Sequence, residues 1–360
     1  MKLLFLNTNI GYGGASKILV WVANQCALEG HNVTLLTYRD NSVYQEIGPG
    51  VKHIHKHWED GSQRFSILNT TRLLHQYINK QGFDAGIAFL SPSIFRMAIA
   101  AKGTKMRILF SQRGDPYFES DKLSLKTKMV NILNKWAFNQ ADYYVFQTIK
   151  AKEYYNNAIQ QRSIVIPNPI RPMLRTQSRK EGVRKSFVAI GRLDLKQKRQ
   201  DLLINAFNII SPLYPDFKLE IYGDGEDEGM IMEMAAPNPN IIIMGKTSDV
   251  SSAIQNAWAT VLSSDFEGIP NILLESMSLG VPTISTDCSP GGASMLIRNK
   301  VNGLLVPRDD KYALANAMEY LIKYPEEAES MGRHAMEVNE LYAEKVISGQ
   351  WKTILTRLIK

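Results

Sequence analysis

The stretch FEGIPNILLE, residues 266–275, places two carboxylates eight positions apart across a predicted change from strand end to helix. Gly268 and Pro270 indicate a turn, and Pro270 fits the first position of a helix, where a missing amide hydrogen leaves nothing unpaired. Glu267 is then expected in the loop at a sheet edge, and Glu275 about one turn inside the helix. Both carboxylates can reach one ligand above the helix N-terminus, whose free amides accept an anion.

The two glutamates favour a ligand that contains a sugar, because a carboxylate accepting from two vicinal hydroxyls is a typical sugar contact. Another interpretation stays open: Glu267 is an acid favoured by the helix dipole, and Glu275 is a surface residue of the helix. Ser276-Met277-Ser278 follow Glu275, so it does not lie on an obviously apolar face.

Short apolar runs alternate with helical patterns on both sides of this stretch, which predicts two parallel sheets flanked by helices. The predicted strands of the first array are Lys2–Asn7, Asn32–Thr37, Asp84–Phe89, Met106–Phe110, Tyr143–Gln147 and Ser163–Ile166. Those of the second are Ser186–Ile190, Phe217–Tyr222, Ile241–Met244, Ala259–Leu262, Val281–Ser285 and Gly303–Val306. The predicted helices include Ile67–Lys80, Ile94–Ala101, Lys122–Phe138, Lys198–Ile210 and Asn271–Leu279.

The length of 360 residues suggests two domains. The first covers residues 1–170 and the second 186–340, and the polar, basic stretch 171–185 between them has no period and is predicted to be a linker. Residues 341–360 follow as an amphipathic helix, in which Trp351 is expected to be a packing anchor.

Composition and charge narrow the functional classes. Cys26 and Cys288 are far apart and form no Cys-x-x-Cys, which argues against a zinc ribbon and fits a reducing compartment. The polar residue Asn7 comes too early for a signal peptide, and no apolar run reaches about 18 residues, so a cytoplasmic chain is expected.

The net charge of +7 is uneven, with 20 Lys and Arg against 11 Asp and Glu in residues 1–170. A basic first half favours an anionic partner such as nucleic acid, anionic lipid or phosphate, or is simply a soluble surface.

Two glycine-containing loops are candidates for phosphate binding. Gly11-Tyr12-Gly13-Gly14 follows the first strand and precedes a helix, although a third glycine of the dinucleotide fingerprint is missing, so a tight turn is an equal alternative. Gly191-Arg192-Leu193-Asp194 follows a strand of the second array, with Lys198 six residues beyond Arg192. A guanidinium and an ammonium at this edge suit a pyrophosphate, although two loop cations are often merely solvated.

Several motifs occur together and in order: Ile166-Pro167-Asn168-Pro169, Gly191-Arg192-Leu193 with Lys198, Tyr222-Gly223-Asp224-Gly225, Glu267-x7-Glu275, and Gly303-Leu304-Leu305-Val306-Pro307. Together they resemble the family 4 retaining glycosyltransferases of GT-B fold, of the type found in bacterial capsule, O-antigen and exopolysaccharide biosynthesis. The resemblance covers nearly the whole chain and is weakest between residues 40 and 140. It implies two Rossmann-like, doubly wound α/β domains facing each other across a cleft. The first domain would bind the acceptor and the second the nucleotide-sugar donor, and the C-terminal helix would cross back onto the first.

The resemblance also implies roles for the matching positions. Arg192 and Lys198 would hold the donor pyrophosphate, Glu275 the ribose hydroxyls, and Glu267 the hydroxyls of the transferred sugar near its reacting face. Further donor contacts are expected from Gly13, Gly14, Gly268, Ile269, Pro270, Asn271 and Ile272. No metal and no other cofactor is implied, because cations and helix ends neutralise the phosphates, and the sequence contains no Asp-x-Asp.

One loop departs from the family pattern. Ser111-Gln112-Arg113-Gly114-Asp115-Pro116 stands where many members carry a histidine, and it resembles an Arg-x-Asp-Pro variant of bacterial polysaccharide enzymes. Arg113 or Asp115 would then face the donor sugar or the acceptor hydroxyl, unless the loop is a plain Gly-Asp-Pro turn. The resemblance tolerates the missing histidine, since in a front-face retaining mechanism a donor phosphate oxygen can take the acceptor proton.

Three histidines recur at strand period, His53, His55 and His57. A metal site is conceivable, but no acidic or cysteine ligand nearby completes one. An exposed strand or an acceptor-side loop is the favoured interpretation, with Trp58 at an acceptor or membrane surface.

The resemblance thus implies a retaining, metal-independent hexosyltransferase. It is expected to move a hexose or N-acetylhexosamine from a nucleotide sugar, by family habit a UDP sugar, to a hydroxyl of a lipid-linked saccharide. The basic first half is expected at the anionic inner face of the cell membrane, and no nucleic-acid partner is expected because no basic motif is interleaved with aromatic residues.

Two alternatives stay open. One is a nucleotide-sugar epimerase or hydrolase of the same GT-B fold. The other is an NAD-dependent sugar-nucleotide oxidoreductase, which would explain the glycine loop. Such an oxidoreductase would need a Tyr-x-x-x-Lys pair on a helix. The pair present here, Tyr214 and Lys218, lies in a predicted proline-flanked loop instead.

Overall fold

The computed structural model describes residues 1–11, 13–39, 45–58, 66–117, 125–170 and 182–359. The chain divides into two compact units, which are Met1–Pro167 with Ile347–Lys360 (unit 1) and Asn168–Val346 (unit 2). Residues 171–181, most of the predicted linker, lie outside the described residues.

Unit 1 contains a parallel sheet with helices between its strands. Its described strands are β1 Lys2–Asn7, β2 Asn32–Thr37, β3 Val51–His55, β4 Ala85–Ala88, β5 Arg107–Gln112, β6 Tyr143–Phe146 and β7 Ser163–Val165. Its helices are α1 Gly14–Leu28, α2 Ser66–Gln81, α3 Ser91–Ala100, α4 Leu125–Phe138, α5 Ile149–Glu153 and α6 Asn157–Gln161. The strand order is β3-β2-β1-β4-β5-β6-β7. The direction of addition reverses beside β1, as it does in doubly wound sheets.

Unit 2 repeats this architecture. Its described strands are β8 Ser186–Ile190, β9 Lys218–Tyr222, β10 Ile241–Gly245, β11 Ala259–Leu262, β12 Thr283–Thr286 and β13 Leu304–Val306. Its helices are α7 Gln200–Ile210, α8 Glu228–Ala235, α9 Val250–Ile254, α10 Asn271–Ser278, α11 Gly292–Leu296, α12 Lys311–Lys323, α13 Pro325–Ala335 and α14 Val338–Leu341. The order is β10-β9-β8-β11-β12-β13, again with parallel pairs.

Strand β1 shows why the sequence forms parallel sheets. Leu3 and Phe5 enter one hydrophobic cluster, whereas Leu4 and Leu6 enter another. Successive side chains of a strand point to opposite faces, so an unbroken apolar run requires helices on both sides of the sheet. The predicted fold class of two Rossmann-like α/β domains is confirmed.

Most predicted boundaries differ from the observed ones by one to three residues, and two of the differences have a cause in a single residue. The predicted strand Val281–Ser285 begins instead at Thr283, after Pro282, which has no amide hydrogen to donate. The predicted helix Lys198–Ile210 begins at Gln200, because Arg199 has a left-handed backbone with φ 52°.

The helix predicted at the C-terminus is α15, Glu344–Ile359. Its residues Ile347, Trp351, Ile354, Leu355 and Leu358 join the hydrophobic cluster that contains Leu3 and Phe5 of unit 1. The buried Trp351 ring stacks on Phe89, with 5.7 Å between ring centroids, which confirms its predicted role as a packing anchor. Among the described residues, no helix combines the length and hydrophobicity needed to cross a bilayer.

We expect Trp351→Ala to destabilise unit 1 by about 3–5 kcal/mol, because truncating a large buried aromatic loses its transfer free energy and leaves a cavity. Denaturant unfolding followed by far-UV circular dichroism measures the change. Tyr312→Ala, which truncates an exposed aromatic of α12, is the control and should change the free energy of unfolding by less than about 0.5 kcal/mol. Equal stability of the Trp351 variant and the wild type would contradict the anchor.

Candidate functional site

The predicted donor residues of unit 2 come together at one edge of its sheet. Strand β11 lies between β8 and β12, and the carboxyl ends of parallel strands meet at the same edge. The loops that follow these strands cover residues 191–199, 263–270 and 287–291. The first two contain Arg192, Lys198 and Glu267.

Lys198 and Glu267 form an ion pair between two of these loops. Both side chains are mostly buried, with 18% and 13% of their surface exposed. Ser264 Oγ also donates to Glu267 Oε1, at 3.0 Å. The side chain of Lys198 passes beside Gly191, where an added Cβ would lie 3.3 Å from Lys198 Cε. The structure therefore joins the predicted phosphate ligand Lys198 to the predicted sugar ligand Glu267.

Backbone and side-chain hydrogen bonds hold the two loops in register. The amide of Asp265 donates to the Gln197 carbonyl at 2.9 Å. Gln197 Nε2 donates to the Phe266 carbonyl at 3.1 Å, and Ser263 Oγ donates to the Lys198 carbonyl at 2.7 Å. These contacts fix the distance between the backbones from which Lys198 and Glu267 project.

Arg199 is a residue of this site that sequence reasoning missed. Its guanidinium reaches three carboxylates: Asp201 at 3.1 Å, Asp265 at 3.0 Å and Asp309 at 2.8 Å. Hydrogen bonds to Asp201 first, then to Asp309 and Asp265, raise the pKa of Arg199 above its usual range. The pairs join the loop after β8 to the loops after β11 and β13. The sequence offered one indication of these ion pairs, because Asp265 lies two residues before Glu267. Nothing in the sequence indicated the distant Asp309.

Arg192 makes different contacts from Lys198. Its Nη2 lies 2.6 Å from Asp194 Oδ2 and donates to Gln197 Oε1 at 2.8 Å. The side chain is largely exposed. The sequence grouped Arg192 with Lys198, whereas the structure pairs it with Asp194 of its own loop.

The Tyr222-Gly223-Asp224-Gly225 motif packs directly against the loop after β8. A Cβ on Gly223, whose φ is +149°, would lie 1.9 Å from the Gly191 carbonyl oxygen. The Leu193 amide donates to the Asp224 carbonyl at 2.9 Å. Glycine is required at this close approach because any side chain would push the backbone that carries Arg192 out of place.

The loop from Glu267 to Asn271 packs against the turn before α11. The Glu267 amide donates to the Ser289 carbonyl at 2.7 Å. A Cβ on Gly292 would lie 1.6 Å from the Gly268 carbonyl oxygen. Pro270 is the N-cap of α10, with φ −71° and ψ 109°. The predicted first helical position for Pro270 was therefore wrong by one residue, because its extended ψ keeps it outside the helix.

The remaining donor candidates of unit 2 lie along the start of α10. Asn271 Oδ1 accepts from Asn168 Nδ2 at 2.7 Å, so Asn168 braces the helix start. Ile269 is buried, and Ile272 is half-buried. Glu275 is half-buried at the fifth position of α10, as expected from its spacing.

Cys288 lies beside the ion pair. Burial first, and then the Glu267 carboxylate, raise the pKa of its thiol to about 12. The thiol therefore stays protonated near neutral pH, which makes it a poor nucleophile.

The candidate residues of unit 1 lie at the ends of β1 and β5. Gly13 is the N-cap of α1, and an added Cβ would meet nothing within 4 Å, so the space beside it is open. Gly14 is the first residue of that helix, and Tyr12 lies outside the described residues. Asn7 Nδ2 donates to Ser16 Oγ at 3.1 Å, which ties the strand end to the helix.

Arg113 stacks its guanidinium on the Phe89 ring, 4.3 Å from the centroid, with the Trp351 ring at 5.7 Å. Burial lowers the pKa of Arg113 to about 9, so the group is charged at neutral pH. Asp115 Oδ1 accepts from the Tyr117 amide at 2.9 Å, which is the contact of a turn residue. The two candidates of this loop therefore have different environments.

The histidines lie on an edge strand of unit 1. Thr37 Oγ1 is 3.1 Å from His53 Nε2 and 2.9 Å from His55 Nδ1. His57 follows the strand instead of continuing it, and its Nδ1 is 3.3 Å from His55 Nε2. Within the described part of the chain, no group of three or more His, Cys, Asp or Glu is arranged to hold a metal ion.

Two family descriptions match this chain in consecutive halves. "Glycosyltransferase Family 4" matches residues 12–173, and "Glycosyl transferases group 1" matches residues 184–324. The chain belongs to the GT-B glycosyltransferases. The family 4 match includes Gly13, Gly14, Arg113 and Asp115, and the group 1 match includes the donor candidates of unit 2 from Arg192 to Glu275.

Individual relatives match this glycosyltransferase over most of its length. An uncharacterised glycosyltransferase of Haemophilus influenzae is 24% identical and covers 98% of this chain and 99% of its own. A Campylobacter jejuni enzyme, named as an α-1,4-N-acetyl-D-galactosaminyltransferase acting on a diNAcBac-PP-undecaprenol-linked saccharide, is 24% identical over 89% of each chain. The structure of Anabaena Alr3699/HepE in complex with UDP-glucose superimposes with a TM-score of 0.76 at 17% identity, covering 99% of this chain and 100% of that one.

The Tyr-x-x-x-Lys of the oxidoreductase alternative does not form a helical pair. Tyr214 lies in the turn after α7, where its hydroxyl donates to Glu319 at 3.1 Å. Lys218 begins strand β9.

We expect Arg199→Gly to be more stable than Arg199→Ala by about 1 kcal/mol. Both variants lose the three ion pairs, but only glycine adopts the left-handed backbone without strain. Chemical denaturation of the two proteins measures the difference. Lys352, exposed within α15, is the control, because there the order reverses and alanine is the more stable by about 1 kcal/mol. If the glycine and alanine variants had the same order of stability at positions 199 and 352, the strained conformation of Arg199 would be contradicted.

Proposed function

We propose that this glycosyltransferase moves a hexose or N-acetylhexosamine from a UDP sugar to a hydroxyl of a lipid-linked saccharide in bacterial surface polysaccharide biosynthesis. Transfer would retain the anomeric configuration and need no metal ion. The observation that carries the proposal is the buried Lys198–Glu267 ion pair at the carboxyl edge of the unit 2 sheet. The lipid-linked acceptor in the name of the Campylobacter relative and the UDP-glucose complex of the Anabaena protein support the choice of substrates.

The donor diphosphate would bind at Lys198 and the start of α10. The ammonium supplies a positive charge in a mostly buried position, where water screens it little. The free amides at the helix N-terminus add partial positive charge. Arg192 is exposed, and its side-chain contacts among the described residues are with Asp194 and Gln197 of its own loop, so its side chain can turn toward a bound diphosphate and add a bidentate contact.

The two glutamates would bind the ends of the donor. The contacts of Glu267 with Lys198 and Ser264 both fall on Oε1, and we assign Oε2 to the hydroxyls of the transferred sugar. Glu275, half-buried inside α10, is assigned to the ribose hydroxyls. In unit 1, Gly13 and Gly14 would pass close to the donor phosphate, and Arg113 or Asp115 would contact the sugar or the acceptor.

The transfer step conserves atoms and charge. The bond between the anomeric carbon and the β-phosphate oxygen breaks, and a bond from that carbon to the acceptor oxygen forms on the same face. The acceptor proton passes to the departing phosphate oxygen, so the products are the glycoside and the protonated nucleoside diphosphate. Lys198 would stabilise the negative charge that develops on the leaving group, which is where a fixed cation lowers the barrier most.

The acceptor places the reaction at a bilayer. A lipid-linked saccharide presents its sugar at the membrane surface, so the proposed function includes binding to the anionic inner face of the cell membrane. Nucleic acid is not a partner in this proposal.

A panel of nucleotide sugars tests the function. With the correct donor, we expect nucleotide release that requires a lipid-linked saccharide acceptor and persists in EDTA. Proton NMR of the product determines whether the anomeric configuration is retained. Release without any acceptor would favour the hydrolase or epimerase alternative, and reduction of a nicotinamide cofactor would favour the oxidoreductase. No release with any donor and acceptor would overturn the proposal.

We expect Lys198→Met to lower kcat/KM by about 10²–10³-fold, because it removes a charge that stabilises the leaving group. Glu275→Gln should mainly raise the KM for the donor, about tenfold, because it weakens hydrogen bonds present before and during transfer. Lys323→Met, which breaks the exposed ion pair with Glu319 on α12, is the matched control and should keep wild-type kinetics. Steady-state kinetics measure both changes. Wild-type activity of Lys198→Met would contradict the role assigned to Lys198 in stabilising the leaving group.

A further inference from the structure

Helix α4 has an apolar stripe that the described part of unit 1 leaves largely exposed. The stripe consists of Met129, Ile132, Leu133 and Trp136, at positions i, i+3, i+4 and i+7 of the helix. Their exposed fractions are 64%, 68%, 44% and 38%. A surface helix normally turns such a stripe toward the core, and a contiguous exposed apolar patch marks an interaction site. Ile67 and Leu68 of α2, which packs against α3, are exposed as well.

Basic side chains lie beside this α4 stripe. The helices α2, α3 and α4 contain no Asp or Glu. Lys102 Nζ lies 4.5 Å from the centroid of the Trp136 ring, and Lys135 is exposed on α4 itself. The apolar stripe is therefore bordered by cations without carboxylates in the same helices to neutralise them.

A surface pocket of about 470 Å³ lies at the end of the stripe. Its lining includes Lys102, Thr104, Lys105, Arg107 and Gln140. Arg107 pairs with Asp142, also in the lining, at 2.8 Å. Three cations against one carboxylate, with a hydroxyl and an amide, suit a phosphate group. The pocket lies at the amino end of β5, whereas Arg113 follows the carboxyl end of the same strand, so the pocket is separate from the candidate site.

We propose that the α4 stripe and this basic pocket form a docking surface for an anionic lipid bilayer. The apolar side chains enter the boundary between headgroups and acyl chains, and the pocket binds a headgroup phosphate. A helix with one apolar face and basic borders lies in the plane of the bilayer instead of crossing it, and anionic headgroups attract the lysines.

The charges favour a bilayer over a second copy of the chain. A two-fold contact would bring the same surface onto itself, so Lys102 and Lys135 would face an equally basic surface. No carboxylate in α2, α3 or α4 would offset that repulsion. An anionic bilayer removes the apolar stripe from water and neutralises the lysines at once.

This docking surface deepens the membrane part of the proposed function, and its test involves no glycosyl transfer, so the two can fail separately. The full chain is mixed with vesicles of phosphatidylcholine alone, or of phosphatidylcholine with phosphatidylglycerol. Co-sedimentation measures binding, and quenching of tryptophan emission by brominated lipid measures insertion. We expect binding to anionic vesicles that weakens as salt rises, with quenching that Trp136→Phe reduces.

Two sets of variants separate the apolar from the charged part. Ile132→Gln with Leu133→Gln should reduce binding at least tenfold at every salt concentration. Met230→Gln with Met232→Gln, exposed on α8 of unit 2, is its matched control and should bind as the wild type does.

Lys102→Gln with Lys105→Gln should reduce binding to anionic vesicles and flatten its salt dependence. Lys311→Gln is the control for that change. It replaces a lysine whose Nζ lies 5.3 Å from the centroid of the exposed Tyr312 ring.

Three outcomes would overturn the docking surface. The first is wild-type binding by both the Ile132/Leu133 and the Lys102/Lys105 variants, provided that their circular dichroism shows native folding. The second is vesicle binding that ignores lipid charge and salt. The third is a wild-type dimer in solution that Ile132→Gln with Leu133→Gln converts to a monomer, without vesicle binding by either form.

Discussion

A mostly buried ion pair between Lys198 and Glu267 is the constraint around which the unit 2 site is arranged. Two opposite charges withdrawn from water stabilise a fold only in good geometry, and removing one partner typically costs about 3–5 kcal/mol. The backbones that carry them must therefore be fixed. Hydrogen bonds from Asp265, Gln197 and Ser263 fix them, and the site is consequently rigid before any ligand arrives.

The surrounding loops show what that rigidity requires. Arg199 keeps a left-handed backbone that costs roughly 1–2 kcal/mol for a residue other than glycine, and its ion pairs with three carboxylates offset the strain. Gly223 and Gly292 allow carbonyl oxygens to approach where any side chain would collide. Unit 1 has a different design, in which Arg113 lies on the Phe89 ring and close to the Trp351 ring.

The repeated strand and helix patterns were sufficient to predict the strands of both sheets other than the edge strand β3. An apolar run that is buried on two faces is typical of a strand in a parallel sheet flanked by helices. Glu267 and Glu275 were predicted in the right elements from local turn signals. The partners of Lys198 and Arg199 were not predictable, since Glu267 and Asp309 lie 69 and 110 residues away in sequence. Pro270 was misplaced by one residue because ψ, unlike φ, is not fixed by the proline ring.

The α/β class, the glycosyltransferase resemblance and the residues at the carboxyl edge of the unit 2 sheet follow from the amino-acid sequence, because they depend on local periodicity and on short motifs. The tertiary structure alone decided which charges pair, since the sheet order brings distant loops together. It also decided that the apolar side of α4 faces outward. Helical periodicity identifies an apolar stripe, but only the packing of neighbouring helices determines whether that stripe is buried.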